Sequence, residues 1–238
     1  MLRVSLILVA LAFSACAPKS PEPASDDTNT PAVAAAGPTC RLTMGWDAWE
    51  PYHYRDVGGA VHGLDIELVT AIVNKAGCEI SFDQEDWSTL LGRLRSGAID
   101  ILSGATRTAS REKFAWFSEP YRSESFQLYV RSGESVKYNA ADLEALLANG
   151  ITVGTTLEYV YGQEVDALQD NPDYASQFLG AAIGELNIDR LLSFEIDSLL
   201  EDPFVAATVI RKKGLEEKIE AHPLIVSTGS VHLMFSKA

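Results

Sequence analysis

The segment Asp100–Arg111, DILSGATRTASR, gathers the side chains best suited to hold an anion. An apolar strand, Ile99–Leu102, runs into Ser103-Gly104. Thr106 follows, and Thr108 is placed to cap a helix with Arg111 in its first turn. Hydroxyls, main-chain N–H groups and a guanidinium then surround one helix start. Helix N-termini favour anions, and arginine meets a carboxylate through two parallel N–H donors. A cation in a first helical turn opposes the helix dipole, so Arg111 requires an anionic partner. That partner is either a bound carboxylate or a salt bridge to Asp100, Glu112 or another acid. A second segment, Gly45–Tyr54 (GWDAWEPYHY), sets two Trp, two Tyr and Pro51 within ten residues. Pro51 excludes a helix there, and the rings either wall a ligand pocket or fill a core.

These segments need a scaffold, and the hydrophobic pattern supplies one. Leu42–Trp46 reads as a strand. A helix capped by Asp65 runs to Ala76, with Ile66, Val69, Val73 and Ala76 on one face and Gly77 as its stop. Ser88 caps the next helix, which turns Leu90, Leu91 and Leu94 inward and ends at Gly97. With Ile99–Leu102 the order is β-α-β-α-β, the pattern of a parallel sheet. The second half repeats the theme. Helices are expected at Asp142–Ala148, Leu157–Leu168, Glu185–Ser193 and from Pro203 onward; strands at Ile151–Val153 and Ile196–Leu200. Phe126–Arg131 is a strand between the halves. The fold class is α/β, two lobes with a ligand cleft at the carboxyl ends of their strands.

The chain has 238 residues, 47% of them hydrophobic, enough to build a core and to exclude a wholly disordered chain. Asp and Glu outnumber Lys and Arg by 33 to 19, for a net charge of −14, which argues against nucleic acid as a partner. Residues 1–15, MLRVSLILVALAFSA, have the layout of a secretory signal and are too short to span a bilayer. Phe13-Ser14-Ala15-Cys16 resembles the lipobox of bacterial lipoproteins, which implies that Cys16 is lipidated; a plain secreted protein is the alternative. Residues 16–39 are rich in Pro, Ser, Thr and Ala and read as a tether. Export leaves Cys40 and Cys78 in an oxidising setting. Each sits just before a strand, on one edge of a βαβ unit, so a Cys40–Cys78 disulfide is expected. The expected organisation is a signal peptide at 1–15, a lipidated Cys and tether at 16–39, a first lobe at 40–128, and a second lobe with hinge strands at 129–238.

Six motifs fall in order across residues 41–131: W-x-P-Y at Trp49–Tyr52, G-L-D-I-E-L at Gly63–Leu68, W-x-x-L-x-x-x-L-x-x-G at Trp87–Gly97, Ile99-Asp100, T-x-x-R at Thr108–Arg111, and F-S-E-P-Y at Phe117–Tyr121. Together they resemble the family 3 periplasmic solute-binding proteins, which deliver amino acids to ABC transporters. The second half matches more loosely, through Ile196-Asp197 and Asp202. The resemblance implies that Trp49 stacks on the ligand, that Asp47 meets its ammonium, and that Trp87 closes the apolar side. It implies further that Ser103, Gly104, Thr106 and Arg111 hold an α-carboxylate, and that Asp202 joins from the second lobe on closure. Thr156 or Tyr159 is a further candidate, because either Gly154 or Glu158 can occupy the family's glycine turn. Pro203 directly after Asp202 is compatible with a helix start.

The sequence ends at Val231–Ala238, which resembles the family's return strand, where members continue with helices that finish the first lobe; a C-terminally shortened member is expected. Two other readings use the same fold: a periplasmic sensory module, and an exported dehydratase-like enzyme with Glu158 or Glu50 as acid or base. No G-x-S-x-G, H-E-x-x-H, P-loop or EF-hand pattern occurs, so neither a metal nor a cofactor is expected. The four His residues show no ligand spacing and read as surface positions.

Overall fold

The computed structural model of the protein describes residues 40–238. The expected signal peptide at 1–15, Cys16 and the tether to residue 39 lie outside the described residues. The first half runs β1 (Cys40–Trp46), the short paired strands β2 (Tyr54–Arg55) and β3 (Val61–His62), α1 (Leu64–Lys75), β4 (Cys78–Gln84), α2 (Trp87–Ser96), β5 (Ile101–Thr106) and β6 (Ala115–Phe117). β7 (Arg122–Arg131) leads into the second half. There follow α3 (Leu143–Ala148), β8 (Val153–Thr156), α4 (Gln163–Asp170), β9 (Phe178–Ala181), α5 (Glu185–Leu192), β10 (Ser198–Glu201) and α6 (Pro203–Lys213). β11 (Ile219–Ser236) closes the chain.

The larger sheet has nine strands in the order β4-β1-β5-β11-β7-β10-β8-β9, with β6 also on β11. β4, β1 and β5 are parallel, as are β10, β8 and β9. Between these parallel blocks lie β7 and β11, antiparallel to each other from Ile219↔Arg131 to Val231↔Arg122. Irregularities at Ala221/Ile225 and Ser227/Gly229 interrupt their register. The last residues of β11, Val231–Ser236, pair with β5 and β6 of the first half. One strand therefore belongs to both halves.

Helices cover both faces of each block, as parallel strands require. In the first half Ile66, Val69 and Val73 of α1 pack on Met44 and Trp46, while Leu90, Leu91 and Leu94 of α2 pack with Leu102 and Met234. In the second, Leu143 and Leu146 join Val153 and Leu200, and Ile188 and Leu191 join Leu199 and Ile210.

The expected elements are present, and several ends differ. α1 begins after Gly63, not at an Asp65 cap. Gly63 has φ 127°, and a Cβ there would stand 2.0 Å from the Tyr52 carbonyl oxygen, so only glycine fits. Asp65 sits inside the first turn with no exposed surface. α2 is capped by Asp86, whose carboxylate accepts from the Thr89 amide at 3.0 Å, and not by Ser88. After Thr108 there is only a three-residue 3-10 turn, Arg111–Lys113, in place of a helix. The helix expected over Leu157–Leu168 starts at Gln163, because the chain turns at Glu158 with φ 64°. Asp202 caps α6, accepting from the Phe204 and Val205 amides, with Pro203 in the first turn.

Cys40 and Cys78 form the expected disulfide, at residues directly paired in the β1–β4 ladder. It closes a loop with a sequence separation of 38. Reduction, or replacement of both residues by Ser, should lower the unfolding free energy by roughly 2–4 kcal/mol. Urea titrations with and without dithiothreitol measure this, and coincident curves would contradict it.

Candidate functional site

Between the halves, the loop after β1, the end of β5, the middle of β7 and the loop after β8 enclose a cavity of about 350 Å³. Eight of the ten expected ligand residues line it. Asp47 and Trp49 come from the loop after β1, Trp87 from the start of α2, Ser103, Gly104 and Thr106 from β5, and Arg111 from the 3-10 turn. Thr156 and Asp202 do not line it. Thr156 is buried in β8, its amide donating to the Tyr161 hydroxyl at 2.7 Å. Asp202 holds the start of α6 and accepts from the Tyr52 hydroxyl at 3.3 Å.

Arg111 is buried in the cleft with its guanidinium 5.5 Å from the Trp87 ring centroid. It donates to the Thr106 carbonyl at 3.0 Å and, across the cleft, to the Glu158 carbonyl at 2.6 Å. Trp87 Nε1 donates to the same Glu158 carbonyl at 3.2 Å. The left-handed turn at Glu158 aims this carbonyl into the cleft, so Glu158, not Gly154, occupies the turn; Gly154 lies within β8. Burial lowers the Arg111 pKa, opposed by the charges of Glu158, Glu124 and Asp166. The guanidinium is thus a desolvated cation whose hydrogen bonds reach main-chain oxygens of both halves.

The other expected anion donors are engaged elsewhere. The Gly104 amide donates to the Tyr121 hydroxyl at 2.8 Å, and Ser103 Oγ lies 2.7 Å from His53 Nε2. Both contacts trace to Asp65, which accepts from the Tyr121 hydroxyl at 2.6 Å and lies 3.5 Å from His53 Nε2. Arg122 stands 3.8 Å from Asp65 and presents its guanidinium to the rings of Tyr52 and Trp49. Burial alone would raise the Asp65 pKa, but His53, Tyr121 and Arg122 hold it below the ordinary carboxylate range.

Several cavity residues were not singled out from the sequence. His53 is buried, with Asp47 3.5 Å from its Nδ1 and Asp65 3.5 Å from its Nε2, contrary to its expected surface position. His222, also expected at the surface, is buried too. Glu124 and Phe126 reach the cavity from alternate positions on β7, a period-two signal legible in FQLYVR and the residues before it. Val160 enters from the loop after β8, beside Tyr159, which unlike its fellow candidate Thr156 does line the cavity. Glu201, the last residue of β10, accepts from Trp49 Nε1 across the cleft at 3.1 Å. An acid ending the buried run S-L-L-E was the available sign of it. The general acid or base positions considered for an enzyme, Glu50 and Glu158, do not place side chains on this cavity; Glu50 pairs with Lys212.

Two titrating groups make stability depend on pH. Burial disfavours the charged form of His53, but hydrogen bonds and charge from Asp47 and Asp65 prevail and push its pKa up to about 9. Its stabilisation is therefore complete below about 6.5 and is lost as pH rises through about 9, on the order of 3 kcal/mol in all. Burial raises Glu201 to about 7, with Asp202 and Asp47 adding to the rise and Trp49 opposing it. Its folded form favours the proton, so stability falls as pH climbs from about 4.5 to about 7. Melting midpoints should decline across both windows; His53→Gln should remove the upper decline and Glu201→Gln the lower. Midpoints of the parent protein that stay level from pH 5 to 9.5 would contradict both assignments.

Residues 42–218 match the family described as bacterial extracellular solute-binding proteins, family 3. A probable histidine-binding protein of Neisseria gonorrhoeae is 26% identical over 219 residues, covering 90% of this chain and 76% of its own length. The arginine-binding extracellular protein ArtP of Bacillus subtilis is 32% identical over 171 residues, covering 69% of this chain and 64% of ArtP, just under two thirds of that relative. Among solved structures, an ancestral arginine-binding protein bound to arginine superposes with a TM-score of 0.70 at 25% identity, covering 83% of this chain and 85% of that one. The arginine-binding protein of T. maritima in its holo form gives the same TM-score at 21% identity, covering 83% of each chain. The architecture is the two-lobed type II fold of periplasmic binding proteins. With three quarters of its length matched, the chain belongs to the family 3 bacterial extracellular solute-binding proteins.

Proposed function

We propose that this protein captures a small amino acid or related carboxylate between its lobes and delivers it to an ABC transporter. The observation that carries this reading is Arg111, a buried guanidinium at the cleft that joins main-chain oxygens of the two halves. A ligand carboxylate takes the place of the Glu158 carbonyl, exchanging a dipole for a full charge and gaining a charge-assisted pair of bonds. The rings of Trp49 and Trp87 cover the ligand's apolar part, and Asp47, beside Trp49, receives its ammonium. Ser103, Gly104 and Thr106 form the β5 wall. Opening proceeds about β7 and β11, the antiparallel pair between the two parallel blocks, and the closed form is the one read by the permease.

Relatives in the family bind histidine, arginine or cystine by their names, which supports a binding role over a catalytic one. The signal segment and the lipobox-like Phe13–Cys16 support export and a lipid anchor through Cys16. Calorimetry of the purified protein against the twenty amino acids and small carboxylates tests the reading. At least one should bind, and Arg111→Ala should weaken it by about 2–5 kcal/mol, some thirtyfold or more. Unchanged affinity in Arg111→Ala would overturn the carboxylate assignment.

A further inference from the structure

Tyr159 projects from the turn made by Glu158 into the cleft of the opposite half. Its ring is edge-on to both Trp49 and Trp87, with centroid separations of 6.2 Å to each, and Phe126 lies 6.3 Å away. Its hydroxyl donates to Asp47 Oδ2 at 2.9 Å. The hydroxyl end is desolvated, which together with Asp47 and Glu201 raises its pKa and keeps it a donor. A flat group between two tryptophans takes the volume that a long ligand side chain would fill. Here the protein itself supplies that group, and its ring fills the space between the two tryptophans.

We infer that Tyr159 sets the ligand size of this receptor, standing as a plug in the side-chain part of the cleft and restricting the site to amino acids the size of glycine, alanine or serine. The inference rests on the amino-acid reading of the site. The plug is held on one side by the Tyr159 amide, which donates to the Thr156 carbonyl at 3.3 Å, and on the other by Asp47. Removing the ring frees the strip between the two tryptophans. The enlarged site then suits a long side chain with a cationic end, because two aromatic faces recognise a cation.

The test is calorimetry on the full chain and on Tyr159→Ala and Tyr159→Phe, with glycine, alanine and serine against arginine, lysine and histidine. The parent protein should bind at least one of the small set and bind the long set at least tenfold more weakly. Tyr159→Ala should gain at least tenfold for a long cationic amino acid, while Tyr159→Phe, which keeps the ring, should retain the small-ligand preference. Tyr159→Leu takes the place of the Ala variant if the latter lacks a cooperative melt. Arginine or lysine binding the parent protein as tightly as the small set would overturn the inference. So would loss of all binding in a folded Ala or Leu variant, which would make the ring a contact wall. Absence of binding by any amino acid to the parent protein would overturn the amino-acid reading itself, and this inference with it.

Discussion

A carboxylate with no exposed surface must be compensated where it lies, and Asp65 imposes that condition on the first half of the cleft. Three groups answer it: the Tyr121 hydroxyl, the His53 imidazolium and the Arg122 guanidinium. Each then has a second contact. Tyr121 receives the Gly104 amide, His53 reaches Ser103 Oγ, and Arg122 underlies the rings of Tyr52 and Trp49. The aromatic loop and the end of β5 are thereby fixed through a single buried charge. The positions of Trp49, Ser103 and Gly104 in the site are consequences of Asp65 rather than independent choices.

The second constraint is the antiparallel pair at the centre of the sheet. β7 carries Glu124 and Phe126 into the cavity, and β11 runs beside it before crossing to β5. The parallel blocks on either side have separate cores, each with helices on both faces. Polar contacts across the cleft join Arg111 and Trp87 to the Glu158 carbonyl, Trp49 to Glu201, Tyr159 to Asp47, Tyr52 to Asp202 and Glu50 to Lys212. A small apolar cluster, Val205 against Trp49 and Tyr52, accompanies them. Polar contacts of this kind exchange readily for water or ligand, whereas the apolar cores of the halves do not.

Much of this was legible in the sequence where periodicity or a motif spoke. The β-α-β order, the inward faces of α1 and α2, the disulfide and eight cavity residues all followed from local pattern or from the family resemblance. What local pattern misread were polar residues with two possible employments. Asp65 after a glycine looks like a helix cap, and its burial depends on Tyr121 and Arg122, far along the chain. Asp86 rather than Ser88 caps α2 because a carboxylate two residues earlier reaches the same turn. Thr108-x-x-Arg111 looked like a helix start, yet the chain leaves it after one 3-10 turn for β6. Leu157–Gly162 has helical spacing of apolar residues, but the left-handed backbone at Glu158 breaks it and sends Tyr159 across the cleft.

The Cys40–Cys78 bond sits at the first described residue, where the preceding chain enters the fold. A pull arriving from residue 39 meets this covalent link before it meets any hydrogen bond of β1. The load is shared at once with β4, the neighbouring parallel strand. A fold joined this way resists mechanical unravelling from residue 40.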